Sequence, residues 1–135
     1  MNRRVLLGNA GVLLAQALLL NGQTAAAGRR KVIFEHRLPD LTLSNWSATA
    51  VEVSYAPAES SAAHRHPGIT IAYVLEGEIR SKVGDDPEKI YTTGEMFIET
   101  PNQLHAVSGN ASKTNPARLL AILLAEEGRQ LTTPA

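Results

Sequence analysis

The chain has 135 residues, of which 44% are hydrophobic and 19% charged, so it suits one globular domain and not a disordered protein. The formal net charge is zero, and removal of Arg3 and Arg4 with a leader would leave 11 basic against 13 acidic residues. Because no basic stripe remains, nucleic acid is not an expected partner. Cysteine is absent, which excludes disulfides and thiolate ligands and leaves four histidines as candidate soft-metal donors.

Residues 1–27 have the pattern of a cleavable signal peptide. Arg3-Arg4 precede the mostly apolar run Val5–Leu20, and Ala25-Ala26-Ala27 offers a small-x-small site with cleavage after Ala27. The alternatives are a membrane anchor and a buried N-terminal helix. The apolar run is shorter than the roughly 20 residues that a membrane span needs, which argues against the anchor. Asn2–Leu7 loosely resembles a twin-arginine signal, so twin-arginine and ordinary secretion both stay open. Either route predicts a periplasmic or secreted protein with no stable membrane span after processing.

Residues 28–135 consist of short β-rich runs separated by turn residues, which predicts a single all-β domain. In Thr49–Tyr55 the alternation places Val51, Val53 and Tyr55 on one face. The other predicted strands are Lys31–Arg37, Ile69–Glu76, Glu78–Val83, Glu88–Thr92, Met96–Glu99, His105–Ser108 and Ala117–Leu124. Short strands at this density favour an antiparallel barrel, because closure removes exposed sheet edges.

His64 and His66 stand two residues apart, a spacing that puts both imidazoles on the same face of a strand. Such a pair can chelate one ion without bending the backbone. The alternative is a pair of solvated polar residues in a loop beside Arg65 and Pro67. Spacing alone does not separate these two interpretations.

The residues around the pair resemble the two conserved motifs of the cupin superfamily. His64-Arg65-His66, followed at the expected distance by Gly77, is similar to the first motif, although Thr70 stands where that motif has its Glu. Gly94 to His105 is a looser match to the second motif, with His105 at the third ligand position. The closing Asn of that motif would fall at Gly109, one residue before Asn110.

The resemblance implies a cupin-type antiparallel β-barrel, also called a double-stranded β-helix or jelly-roll. It also implies one divalent transition metal (Zn, Fe, Ni or Co) on His64, His66 and His105, because only three of the four ligands carry over. Manganese and magnesium prefer oxygen ligands and are the poorer candidates for three imidazoles. Such a complex would keep the full charge of +2 and favour an anionic ligand.

Two further residues are candidates for the pocket. Glu99 lies six residues before His105 and is the best replacement for the missing carboxylate, although it could also be a solvated strand end. Thr70 shares the parity of His64 and His66, so its hydroxyl is expected in the pocket unless a bulge intervenes. Glu52 could point either way, and Glu76 is expected in solvent at a hairpin turn.

Function is bounded more loosely than fold, since cupins carry many chemistries. The first hypothesis is a small metalloenzyme, oxygenase-like or an isomerase or lyase, acting on a small oxygen-rich or anionic molecule. The alternatives are a non-catalytic module that binds a metal or small ligand, and a structural barrel that has lost its metal site. Apolar residues on both faces of Ile69–Leu75 and Ala117–Leu124 also predict a homodimer, because a barrel buries only one face of each strand.

Overall fold

The computed structural model describes residues 28–135, so the signal peptide predicted at residues 1–27 lies outside the described residues and stays a prediction. Contacts divide the chain into two units, Met1–Val32 and Ile33–Ala135. The described part of the first unit, residues 28–32, has no regular secondary structure, and the second unit contains every strand below. Within the described residues, no helix has the length and apolarity needed to cross a membrane.

Ten strands make up this second unit, and no helix interrupts them. They are β1 (Trp46–Tyr55), β2 (Ser60–Ser61), β3 (His64–Arg65), β4 (Ile69–Glu76), β5 (Glu78–Val83), β6 (Lys89–Thr92), β7 (Met96–Glu99), β8 (Leu104–Asn110), β9 (Ala117–Glu126) and β10 (Thr133–Pro134).

The strands form two antiparallel sheets. The first has the order β1-β9-β4-β7, and the second has the order β10-β3-β8-β5-β6 with the short β2 also paired to β8. Alternation along each strand sends one set of side chains inward. The apolar side chains buried on these inner faces include Val74, Ile79, Phe97, Leu119 and Leu123. The predicted all-β fold of antiparallel strands, a jelly-roll of two sheets, is confirmed.

Two glycines are required where backbone segments approach each other closely. A Cβ at Gly68 would overlap the main-chain carbonyl of Leu124, so β4 can start this close to β9 only without a side chain there. Gly77 turns the β4–β5 hairpin with φ of +71°, and a Cβ there would lie 2.5 Å from the Pro116 carbonyl oxygen. Both glycines fix the entry and exit of β4, which carries Thr70.

The predicted strand Lys31–Arg37 is wrong. This segment has no regular secondary structure, and Ile33 is 62% exposed. Its side chains are β-prone, but no described strand pairs with it, and a strand is stabilised by its partner more than by propensity. The two-residue strands β2, β3 and β10 were too short to give a period-2 pattern and were not predicted.

Candidate metal centre

Strand pairing brings two of the predicted ligands side by side. β3 runs antiparallel to β8, and in this register His64 lies directly opposite His105. The centroids of these two rings are 4.9 Å apart. His66 follows immediately after β3, and its ring meets that of His64 edge-on, also at 4.9 Å. The three imidazoles that the sequence singled out are therefore together in one place.

Glu99 completes the group. Its side chain is 3% exposed at the end of β7, with Oε1 3.0 Å from His105 Nδ1 and Oε2 3.7 Å from His66 Nε2. One ligand atom from each of the three imidazoles and from this carboxylate lies within 4.8 Å of the others. The alternative of a solvated strand end is wrong for Glu99, and the carboxylate candidate is the one that the fold buries.

Two imidazoles are held by main-chain carbonyls. Nδ1 of His64 donates to the carbonyl oxygen of Ala62 at 2.8 Å, and Nδ1 of His66 donates to that of Leu131 at 2.7 Å. A carbonyl oxygen can only accept, so in both rings Nδ1 carries a proton, and in the neutral form of each ring Nε2 carries a free lone pair. Metal-binding histidines are oriented in this way by a hydrogen bond on the other ring nitrogen.

His105 is held from the opposite side. Its Nε2 lies 2.8 Å from Ser81 Oγ in a buried hydrogen bond, which leaves Nδ1 directed toward Glu99. Glu99 Oε1 is only 3.0 Å away, yet Nδ1 is without a hydrogen-bond partner among the described residues. The free nitrogen is therefore Nε2 in His64 and His66 but Nδ1 in His105.

The residues present fit a divalent cation. Three buried polar atoms have no hydrogen-bond partner among the described residues: Thr70 Oγ1, Glu99 Oε2 and His105 Nδ1. An unpartnered buried polar group costs about 1–3 kcal/mol, so three of them in one pocket call for an occupant. A cation at this point would give Glu99 and His105 the partner that they lack.

Burial also favours the neutral form of His64. Removal from water lowers the pKa of this imidazole, and the neighbouring His105 and His66 lower it further, while the Ala62 carbonyl and Glu99 act in the opposite direction. A neutral imidazole is the form that binds a metal. The electrostatics of the pocket thus suit cation binding.

Glu99 changes the charge expected of the site. Three neutral imidazoles would leave a divalent ion with a charge of +2, as the motif comparison implied. With one carboxylate in the cluster the complex carries +1, so the expected strong preference for an anion is not supported. The argument against manganese also lapses, since an oxygen ligand is present.

Thr70 faces the pocket as its parity predicted. It is 2% exposed, and in the pairing of β4 with β7 it lies directly opposite Glu99. Directly opposed residues have Cβ atoms about 5 Å apart on the same face of the sheet. The carboxylate that the cupin motif places at position 70 is therefore supplied here from the neighbouring strand.

A cavity of about 700 Å³ adjoins these side chains. The inner faces of β1 and β9 form much of its wall, and residues 130–134 close one side next to β3. The apolar residues that line it include Val53, Phe97, Leu119, Leu123 and Leu131. Glu99 is the only carboxylate, and neither Lys nor Arg is present, among the described residues of the wall.

A group of three hydroxyls, here called the hydroxyl cluster, lines the same cavity. Tyr55 Oη lies 2.7 Å from Ser61 Oγ and 3.0 Å from Ser108 Oγ. Ser108 reaches the inside because β8 has a bulge: Val107 pairs with Lys82 and His105 with Val83, so Ala106 is extra. This additional residue lets two side chains three positions apart both point inward.

The remaining acidic candidates lie outside the cavity. Glu52 and Glu76 are exposed and both contact Arg118, at 2.6 Å and 2.8 Å. Sequence reasoning missed Ser81, the Leu131 carbonyl and the hydroxyl cluster. Spacing gives no signal for these, because each depends on a contact between distant segments, and Leu131 contributes only main chain.

A family profile described as the cupin domain matches residues 51–123, more than half of the chain. No curated protein matches by sequence. Among solved structures, a cupin-like protein from Thermotoga maritima is 19% identical with a TM-score of 0.55, over 65% of this chain and 64% of that one. A structure from a study of DMSP lyases is 16% identical with a TM-score of 0.56, over 66% and 44%.

Oxalate decarboxylase from Bacillus subtilis, described with Mn(II) centres, is 17% identical with a TM-score of 0.53, over 64% of this chain and 23% of that one. The chain spans less than two thirds of the length of each of these three proteins. Identities this low establish the fold alone. Fold and family profile agree, and we conclude that the chain belongs to the cupin family.

Proposed function

We propose that this cupin holds one divalent transition-metal ion on His64, His66, Glu99 and His105. The observation that carries the proposal is the arrangement of lone pairs, since each imidazole is anchored through one nitrogen and presents the other to the buried carboxylate. An imidazole-rich site suits Zn, Fe, Ni or Co, and the carboxylate adds Mn to these candidates. The Mn(II) centres of the similar oxalate decarboxylase support that addition.

We infer further that the protein is a small metalloenzyme acting on a small molecule in the adjoining cavity. When bound, the ion would supply Lewis acidity or, if it is redox-active, electron transfer. Glu99 is the only carboxylate among the described cavity residues, and it belongs to the cluster, so no separate carboxylate base is left. Oxygenase-like chemistry, which needs no carboxylate base, is therefore the first candidate, and isomerase or lyase chemistry is the second. The lyase and the decarboxylase among the similar structures support isomerase or lyase chemistry as this second candidate.

The chain's own residues would prepare the substrate. Thr70 Oγ1 is buried and unpartnered beside the cluster, so it can donate a hydrogen bond to a substrate oxygen. The apolar side chains beside the cluster strengthen electrostatic interactions there, because they are less polarisable than water. A barrel that had lost its metal site would not explain why these buried polar atoms are retained without partners.

The test is metal content in protein prepared without a nickel column, because such a column would fill the site. Purified metal-free protein is titrated with Zn(II), Co(II), Mn(II) and Fe(II) under anaerobic conditions, and stoichiometry is measured by elemental analysis. We expect one ion per chain. Glu99→Gln, which keeps shape and removes charge, should weaken binding at least tenfold, since the carboxylate is a ligand and neutralises part of the ion's charge.

Glu76→Gln is the matched control, because this carboxylate is exposed on the outer surface. It should leave metal affinity unchanged. Failure of the wild-type protein to bind any of the four ions stoichiometrically would overturn the metal site. With metal bound, a panel of small-molecule substrates under air and under nitrogen separates oxygenase, lyase and non-catalytic binding functions.

We propose that the protein is exported and works in the periplasm or outside the cell. Support comes from the leader pattern of residues 1–27, with Arg3-Arg4, the apolar run and Ala25–Ala27. Mass spectrometry of the protein recovered from the native compartment tests this, with an N-terminus at Gly28 as the expected result. An intact N-terminus on exported protein would exclude cleavage after Ala27.

We also propose a homodimer formed through the outer face of the first sheet. Ala50, Ile122, Ile71 and Ile98 are paired in succession and form a row across all four strands. None of the four lines the cavity, and Ile122 is 36% exposed. We call these four side chains the apolar row. A continuous apolar row on the outside of a sheet favours burial against a second copy.

A further inference from the structure

The residues that line the cavity beside the proposed metal site limit the charge of the molecule that it can hold. No Lys or Arg is among the described residues that line it, and most of its wall is aliphatic or aromatic. Burying an unpaired carboxylate against such a wall costs several kcal/mol or drives it to take up a proton. A substrate with two charged groups would have only the metal complex, with a net charge of +1, to compensate them.

The hydroxyl cluster forms a second polar point in the same cavity. Tyr55 and Ser108 are 5% and 4% exposed, and their hydroxyls bond to each other, while Ser61 bonds to Tyr55. Three hydroxyls carry three protons, and the two bonds between them use two. One proton is left to donate, and no other hydrogen bond of these hydroxyls occurs among the described residues.

The two polar points are separated along β8. His105 belongs to the metal cluster and Ser108 to the hydroxyl cluster, three residues further on. Three extended residues span at most about 11 Å between Cα atoms. A small molecule of drug-like size or less can therefore reach both points with its body against the apolar wall.

We propose, resting on the metal site argued above, that the substrate is a mainly apolar molecule with at most one negative charge. It would present a pair of oxygens to the metal at one end and a hydrogen-bond acceptor to the hydroxyl cluster at the other. This narrows the expectation of an oxygen-rich or anionic substrate, because a small polyanion would lack a partner for its second charge.

The first test compares two bidentate probes on Co(II)-loaded protein by calorimetry and by the visible absorption of cobalt. Benzoylacetone is a singly charged chelator with an apolar body, and oxalate is a dianion. We expect benzoylacetone to bind at least tenfold more tightly. Val51→Lys, at a position 39% exposed on the cavity wall, adds a cation and should raise oxalate affinity at least fivefold. Oxalate binding as tightly as benzoylacetone to the wild-type protein would overturn the proposal.

The second test measures how much the hydroxyl cluster contributes to ligand affinity. Benzoylacetone with a para-acetyl group carries a distal acceptor, whereas the para-methyl compound does not. The ratio of their affinities should be severalfold larger in the wild type than in Tyr55→Phe or Ser108→Ala, while the two variants bind Co(II) normally. An unchanged ratio would contradict the role of the cluster.

The metal site and the substrate class fail separately. If Co(II) does not bind, the proposed metal function falls, and the cavity is then tested in metal-free protein with acetophenone, a neutral ligand with one acceptor, against oxalate. Acetophenone binding that Tyr55→Phe weakens supports the substrate class. The proposed substrate class is overturned if oxalate binds more tightly than acetophenone, or if Tyr55→Phe leaves acetophenone affinity unchanged.

Discussion

The cupin motif has its carboxylate at position 70, on β4, whereas this chain has Thr70 there and a carboxylate at Glu99 on the neighbouring strand β7. The two residues oppose each other in the pairing of β4 with β7, and both are buried in the cavity. A carboxylate on either side chain would face the same space. The departure from the cupin motif at position 70 therefore does not remove the carboxylate from the site.

Exchanging the two residues tests this relation. Glu99→Thr should weaken Co(II) binding at least tenfold, because the carboxylate of the cluster is lost. The double variant Thr70→Glu with Glu99→Thr should recover most of that affinity, since it restores a carboxylate on the opposite strand. Isothermal titration measures both, and far-UV circular dichroism checks folding. If the double variant binds no better than Glu99→Thr alone, the two positions do not share one pocket.

Ser81 has a positioning role that its own chemistry would not suggest. Its hydroxyl is buried and bonds to His105 Nε2, which directs Nδ1 into the cluster. Ser81→Ala should lower metal affinity about 10- to 100-fold, the usual cost of removing the partner of a metal-binding histidine. Ser54→Ala, an exposed position in β1, is the control and should change nothing. The cobalt absorption spectrum should also shift in Ser81→Ala, because His105 is no longer held in its orientation. A variant that merely destabilised the fold would bind less cobalt but would leave the spectrum of the bound ion unchanged.

At the scale of elements, sequence periodicity predicted every described strand of four or more residues to within three residues at each end. β4, β5 and β7 have the predicted bounds, and β9 runs only two residues further, because alternating or continuous apolar runs are decided locally. Lys31–Arg37 failed for the opposite reason, since pairing is a property of two segments. The site followed the same division. The spacing of His64, His66 and His105 was visible in the sequence, whereas burial of Glu99 depended on register between strands.

The bulge in β8 accounts for the one-residue offset at the end of the second motif. The extra residue Ala106 delays everything after it by one position, and Asn110 occurs one residue later than the motif asks. Asn110 is 4% exposed, and its side-chain amide donates to the carbonyls of Ala56 and Asn115. An alignment by spacing alone would place Gly109 there and miss this structural role.

The segment after β9 is part of the site although it has little regular structure. The Leu131 carbonyl orients His66, and β10 pairs with β3, which carries His64. Residues 130–134 therefore contact the main chain or side chain of both of these histidines. Deleting residues 129–135 should weaken metal binding about 10- to 100-fold, as expected when the partner of a ligand is lost. Deleting only residues 133–135 keeps Leu131 and should cost less. Equal affinity of both deletions and the full chain, measured by cobalt titration, would show that this segment does not support the site.

At the scale of the whole molecule, the first sheet has two functions on its two faces. Its inner face contributes Thr70, Glu99 and much of the cavity wall, and its outer face presents the apolar row. Arg118 contacts both Glu52 and Glu76 on the same outer side, so charged groups border the apolar residues. Exposed ion pairs of this kind contribute little to stability. An apolar centre with a polar border is the usual anatomy of a protein interface.

Light scattering tests this arrangement directly. The processed chain at micromolar concentration should have twice the monomer mass, and Ile122→Glu should reduce it to the monomer mass, because a buried carboxylate without a partner is costly in an interface. Ile90→Glu is the matched control, since Ile90 is 50% exposed on β6 of the second sheet, and it should leave the dimer intact. Both variants should bind Co(II) like the wild type, because neither residue lines the cavity. A monomeric wild type, or a dimer that survives Ile122→Glu, would mean that the apolar row is not the interface.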